Sequence, residues 1–527
     1  MSDQTASLPV VQPEPAAQKK GLGTLAVVAS VVAVVLVAGG GFAAWRFLAG
    51  GGPRPAEVLP DSTFALVSID LDPSGGQKIE AIKTLRKFPS FREHTGVRPD
   101  SDVIKAIWDH TVGKECTDVD YAKDIKPWIG QRAALGGVQL DKGKPLPVVA
   151  LQVADKAAAT KGFSKLAACA KSSGQDDFGY DVGEDYAVIS DSTAHADAIS
   201  AAGKSSPLSE DASYQKWTEA AGGPGIVNGY LSPQAKDVIK DAFSTKVGAG
   251  GKGADKQLDA AFGDFKGAGA TLHFKDGGLE LSVAGGGVKQ VGGKDVGDHV
   301  GGLPKDTALA VAGAVDSKRI SSSLDSAFGG LGSLSGMFGG STGQMRAEVE
   351  KKTGLRLPGD VLTLFGDSFS ISVGGDAPAD LDKVQSPADV PAGYLVRGDE
   401  AKIKDVVERI QTRTGVRLAD LPATFDTASG KAVLATNPDY AKQLLGKGSL
   451  GDDETFKDVV PHADSSSFVL YLSLDNGWSK TVADAARNTG DKDEREIAAD
   501  LEAFKALGAS AWNDGSTSHA LVRLTVK

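Results

Sequence analysis

Cysteine is nearly missing from this chain: Cys116 and Cys169 are its only two in 527 residues. That scarcity excludes four-cysteine zinc sites and dense disulfide frameworks. Histidine is sparse too. His94, His110, His195, His273, His299, His462 and His519 fall in no H-x-x-x-H spacing, so no metal site is expected from them. No basic run with interleaved aromatics occurs, and the formal net charge is -11. The first 54 residues carry Lys19, Lys20, Arg46 and Arg54 against Asp3 and Glu14, so the acidic excess lies beyond them. Phosphate backbones repel such a surface, which excludes nucleic acid as a partner.

Catalytic motifs are missing as well. Gly248-Ala249-Gly250-Gly251-Lys252-Gly253 matches a dinucleotide fingerprint but follows a helix-like run instead of a strand. Gly339-Gly340-Ser341-Thr342-Gly343 matches a nucleophile elbow inside a Gly/Ser stretch with no strand before it. No catalytic residue, cofactor or metal ligand is assigned from the sequence.

Glycine, by contrast, is abundant, with 66 residues, and one long apolar run stands near the start. Leu25 to Trp45 carries no charge and spans about 31 Å as a helix, close to the thickness of a bilayer's hydrocarbon core. The reading is a single-pass membrane anchor. Lys19 and Lys20 before the run, against Arg46 after it, orient the N-terminus to the cytoplasm. The competing reading is a cleavable signal peptide, with Gly41 and Ala43 as small residues at the cleavage site. The anchor reading makes the membrane a partner. It sets residues after 48 outside the cytoplasm, at a cell membrane.

Beyond the run, the chain resembles itself. Leu59-Pro60-Asp61-Ser62-Thr63 returns as Leu303-Pro304-Lys305-Asp306-Thr307, Tyr186-Ala187-Val188-Ile189 as Lys431-Ala432-Val433-Leu434, and Tyr230-Leu231-Ser232 as Tyr471-Leu472-Ser473. Spacing changes place an insert at about Asp102 to Lys123 in the first copy and a Gly/Ser insert between Gly329 and Gly343 in the second. The expected organisation is a disordered tail (1–20), a transmembrane helix (21–48), a linker (49–54), and a tandem duplication of two mixed domains (55–298 and 299–527). Alternating runs such as Phe64 to Leu71, helical spacing at Lys156 to Ala170, and the turn signal Lys275-Asp276-Gly277-Gly278 predict an α+β fold with largely antiparallel sheets.

Cys116 falls in the insert and Cys169 near the end of a predicted helix. Joined, they close a loop of ~54 residues, worth about 4 kcal/mol in the chain-entropy model, and pin the insert to the core. Two separately buried thiols are the alternative. Asp70 and Asp72 lie on one face of a predicted strand, as a carboxylate pair for acid–base chemistry would. Asp72 and Asp316, however, both precede helix-like stretches, as do Asp155 and Asp399, so these four aspartates are read as helix caps. Trp128 before Gly130 reads as core.

Leu59-Pro60 with Thr63, Asp70-Leu71-Asp72-Pro73 with Gln77-Lys78, and Asp124-Ile125-Lys126-Pro127-Trp128-Ile129-Gly130 together resemble a bacterial domain-of-unknown-function family, number 3352. The resemblance implies one N-terminal span and a large extracytoplasmic region, and brings no activity or site residues. The function expected is a membrane-anchored binding or scaffold module of the bacterial envelope, its partner an envelope protein, lipid or glycan. A hydrolase or transferase with its site between the two repeats, and an envelope sensor acting through a partner, are the alternatives.

Overall fold

The computed structural model describes residues 53–71, 75–88, 103–110, 112–172, 178–238, 264–287, 295–318, 320–322, 324, 342–378, 384–475 and 502–527. Sixteen strands run through them. The first eight are β1 (Thr63–Asp70), β2 (Ile129–Val138), β3 (Leu146–Val153), β4 (Gly179–Val182), β5 (Tyr186–Ser190), β6 (Val227–Leu231), β7 (Gly267–Lys275) and β8 (Gly278–Gly286). The others are β9 (Leu309–Ala314), β10 (Ser368–Val373), β11 (Ala392–Arg397), β12 (Thr424–Ala428), β13 (Lys431–Ala435), β14 (Ser466–Ser473), β15 (Phe504–Asp514) and β16 (Thr517–Val526).

All sixteen form one antiparallel sheet, in the order β12-β13-β11-β10-β9-β14-β15-β16-β8-β7-β6-β1-β2-β3-β5-β4. This corrects the expectation of a tandem duplication of two mixed domains, since one sheet takes strands from both halves of the chain. The C-terminal strand β16 pairs with β8 from Thr517↔Gly286 to Thr525↔Gly278, and the ladder runs unbroken from one half to the other. The physical reason lies in the edges. β8 and β16 are long strands whose outer N–H and C=O groups would stand unpaired in separate sheets, and pairing them with each other satisfies both rows.

The membrane reading is also corrected. Among the described residues no helix is long and apolar enough to cross a membrane, and Leu25–Trp45 itself lies outside them. The longest helix among the elements described, Lys156–Ser172, has 17 residues and is amphipathic. Apolar length is a condition for a span and does not by itself make one. The single-pass topology, the membrane partner, the cytoplasmic N-terminus and the envelope location drawn from that run therefore lose their support.

One face of the sheet is covered by helices. Over the first half, Thr193–Ser205 and Ala212–Ala220 seal a core containing Leu66, Val148, Val188, Ile199, Trp217 and Tyr230. Over the second half, Pro438–Leu445 and Glu454–Val459 do the same above Ala310, Leu395, Val433, Val469 and Tyr471. Caps fix these helices: Ser192, Asp211, Asn437 and Asp453 each accept an N–H from the first turn. At the centre of the sheet Lys275–Gly278 turns β7 into β8 with Asp276 at φ 50° and Gly277 at φ 74°, the left-handed pair that a two-residue hairpin requires.

His299 lies under this layer, 2% exposed, with Nδ1 2.7 Å from Ser368 Oγ and Nε2 3.0 Å from Ser370 Oγ. Burial, reinforced by Arg397 and Lys431, holds the imidazole neutral and lowers its pKa to about 3. The folded pKa is thus below the unfolded value of 6.5. The unfolded chain then binds a proton that the folded one refuses, so this stabilisation is whole above pH 6.5 and is lost as pH falls toward 3. Between pH 6.5 and 5 the loss is about 2 kcal/mol. Urea unfolding across that range should show it, and His299→Asn should flatten the dependence. An unchanged slope in the variant would contradict the assignment.

Candidate functional site

Residues that alternate with the helix-covered ones point to the opposite face. Following the register from strand to strand gives one residue per strand: Phe425, Leu434, Tyr394, Ile371, Val311, Leu470, Ala509, Val522, Leu281, Leu272, Val227, Ile69, Ala133, Leu151, Ala187 and Val182. Every one is apolar or aromatic. The adjacent row on the same face runs through Phe369, Gly313, Phe468, Ala511, Ala520, Val283, Ala270, Gly229, Val67, Leu135, Val149 and Ile189. An antiparallel sheet with one solvated face ordinarily alternates apolar and polar residues. Here the face turned away from those helices is apolar along both rows, while the helix-covered face carries Ser68, Thr271, Ser370 and Ser510 among its apolar residues.

Only part of the second face is covered. Lys156–Ser172 packs on it at one edge through Trp128, Phe163 and Tyr180, and Glu400–Thr414 at the other through Ile403 and Val407. Leu281 (39%), Val283 (37%), Val522 (39%) and Ile371 (49%) remain exposed between them. Contiguous apolar surface of this kind marks a place where something binds.

On this face lies a groove of about 780 Å³ over β3, β2, β1, β6, β7 and β8, open to solvent. Phe64, Leu135, Pro147, Leu231 and Val283 wall it, and Ala65, Gly229, Ala268 and Ala270 make its floor. Small residues create the depth. A Cβ built on Gly229 comes no closer than 3.5 Å to another atom, so that floor position is open toward the groove. Among the described residues no carboxylate, histidine, lysine or arginine lines it.

The residues singled out from the sequence lie elsewhere. Cys116 and Cys169 form a disulfide with Cα atoms 5.7 Å apart, within the cluster around Trp128 and Phe163. Asp399 Oδ1 accepts from Ala401 N at 3.1 Å and Lys402 N at 3.2 Å, Asp155 Oδ1 from Ala158 N at 2.9 Å, and Asp316 Oδ1 from Lys318 N at 3.0 Å. Asp72 lies outside the described residues, as does the glycine run 248–253. The carboxylate pair of Asp70 with Asp72 therefore lies partly outside the described residues; Asp70 Oδ2 stands 3.0 Å from Arg132 Nε, the residue opposite it on β2. Trp128 is 1% exposed and donates from Nε1 to Asp124 O at 2.6 Å. Among the described residues no group of acidic residues, histidines and cysteines could hold a metal.

The expected site between two repeats is corrected too. Where the halves meet, Arg523 on β16 faces Glu280 on β8, both under 10% exposed, inside a continuous ladder and not a cleft. The groove is not legible in the sequence because a strand such as Pro147-Val148-Val149-Ala150-Leu151 is apolar at nearly every position. Such runs signal burial on both faces, and nothing local tells that one face stays open.

A model of the family described as "Protein of unknown function (DUF3352)" matches residues 27–390, more than two thirds of the chain. No curated protein matches it.

Proposed function

The chain belongs to the DUF3352 family of proteins of unknown function, and on that footing we propose that it binds the hydrocarbon part of a long-chain amphiphile in the groove on the open face of its sheet. The observation that carries this reading is the groove's lining. Some 780 Å³ is walled by Phe, Leu, Val, Pro and Ala side chains, with no charged residue among them. Its size falls in the range of small-molecule sites, and its chemistry selects methylene groups. Each methylene transferred from water contributes about 0.8 kcal/mol, so ten supply about 8 kcal/mol before the costs of association. The open side suits a molecule whose polar end stays in water, which favours an amphiphile over a wholly apolar ligand.

The membrane-anchored scaffold and the inter-repeat enzyme do not return in this reading, since the features that motivated them are overturned. The test uses the fluorescent fatty acid cis-parinaric acid with the full chain. Gly229→Leu places a branched side chain on the groove floor where a Cβ meets no obstruction, and should weaken binding at least about tenfold, 1.4 kcal/mol or more. Equal binding by a folded Gly229→Leu chain, or none by the parent, would sink the proposal.

A further inference from the structure

A second cavity, of about 340 Å³, lies beneath the helix Glu400–Thr414, at the far end of the sheet from the groove. The helix leaves β11 through Asp399 and returns over β11, β13 and β12. At the other edge Lys156–Ser172 leaves β3 in the same way, through Asp155. There the space under the helix is filled: Trp128 and Phe163 are each 1% exposed, their rings 4.9 Å apart, and Phe163 stacks at 5.0 Å on Tyr180.

Phe163 and Val407 are each the eighth residue of their helix. Trp128 and Leu364 each stand two residues before a glycine, Gly130 and Gly366, that enters or precedes the next strand. Leu364 and Val407 thus stand at positions corresponding to a tryptophan and a phenylalanine, and both line the cavity.

The cavity is reachable. Val416 (51% exposed), Leu421 (44%) and Leu434 (38%) surround it and are three of the most exposed large apolar side chains among the described residues. Three polar groups beside it are already engaged. Tyr394 Oη donates to Leu364 O at 3.2 Å, Thr414 Oγ1 donates to Ile410 O at 2.7 Å, and Gln411 Oε1 accepts from Leu418 N at 2.7 Å. Among the described residues no charged residue lines it, so an ion entering it would lose its hydration without a partner. A dry cavity of about 150 Å³ holds a single benzene ring.

We propose that this pocket is a binding site for a compact, uncharged hydrophobic molecule about the size of two fused rings. It is independent of the groove: the two share no lining residue, and a chain-like amphiphile is too long for it.

Naphthalene is the probe, titrated into the full-length protein and followed by its own fluorescence. Saturable binding is expected in the parent chain and in Gly229→Leu. Val407→Phe restores the ring found at the other edge and should reduce affinity roughly tenfold or more. It should also leave the thermal midpoint unchanged or raised, as cavity filling does. Should Val407→Phe fail to fold, Leu421→Asp decides, because it changes an exposed side chain at the mouth and should weaken binding in a folded protein. Lack of saturable binding in the parent, or parent-like affinity in the folded variant, overturns the proposal. Loss of naphthalene in Val407→Phe with parinaric acid unaffected by Gly229→Leu would leave this site standing and remove the groove reading.

Discussion

Trp217→Ala is expected to cost about 3–5 kcal/mol of folding stability, at the upper end for a single truncation. The indole is 1% exposed in the core over the first half of the sheet. Its Nε1 donates to Lys266 O at 2.8 Å. The ring sits against Gly267 and Gly286, which face each other across β7 and β8. A Cβ at Gly286 would come within 2.5 Å of the ring, so the two glycines are the space the indole occupies. Alanine would leave that space empty and Lys266 O without its donor.

The surroundings cannot close in easily. The helix Ala212–Ala220 is held at its start by Asp211, whose Oδ1 accepts from Tyr214 N at 2.7 Å and from the Tyr230 hydroxyl at 3.3 Å. Its far end is tied to β7 by the Thr271 hydroxyl, which donates to Ala221 O. A cavity that cannot relax keeps its full cost. Urea unfolding should show a much lower midpoint at unchanged slope, and a loss below about 1 kcal/mol would mean that the helix settles into the space.

Features with local causes were legible in the sequence. The turn at Asp276-Gly277 needs two left-handed residues and has residues that tolerate them. Asp399 precedes a helix whose first N–H groups need an acceptor. With two cysteines only one pairing exists. What was not legible depends on partners distant in sequence. β8 and β16 meet across more than 230 residues, and neither strand carries a signal that it ends a sheet or continues one. The apolar run at Leu25–Trp45 satisfies a length rule, and length says nothing about the rest of the fold. The cavity under Glu400–Thr414 goes with two differences in bulk, leucine at 364 against tryptophan at 128 and valine at 407 against phenylalanine at 163. All four residues read equally well as core, and only the packing around them distinguishes a filled space from an empty one.

Arg523→Ala is expected to cost about 3–5 kcal/mol because of what it leaves behind, not because the ion pairs it removes are strong. Arg523 is 6% exposed on β16, directly opposite Glu280, 8% exposed on β8. Its Nη2 lies 2.9 Å from Asp458 Oδ1 and 3.4 Å from Asp276 Oδ2, and its Nη1 lies 3.7 Å from Glu280 Oε2. One guanidinium therefore serves three carboxylates at the seam where the two halves of the sheet join. The side chains of Asp458 and Asp276 are 38% and 69% exposed and turn to water when it is removed. Among the described residues the Glu280 side chain, 10% exposed, then keeps only Lys275 Nζ at 3.5 Å, a contact that is itself half exposed and weakened by solvent.

The cost should therefore follow Glu280. Removing both charges with Arg523→Met and Glu280→Leu should recover most of the loss, since a buried ion pair replaced by apolar residues of similar volume is often neutral. The coupling measured in the double-mutant cycle should exceed about 1.5 kcal/mol. Additive losses would show instead that the guanidinium acts through its packing against the helix Glu454–Val459. In that case the seam would be held by its backbone ladder, and the charges across it would fix the register of β16 against β8 without stabilising the junction.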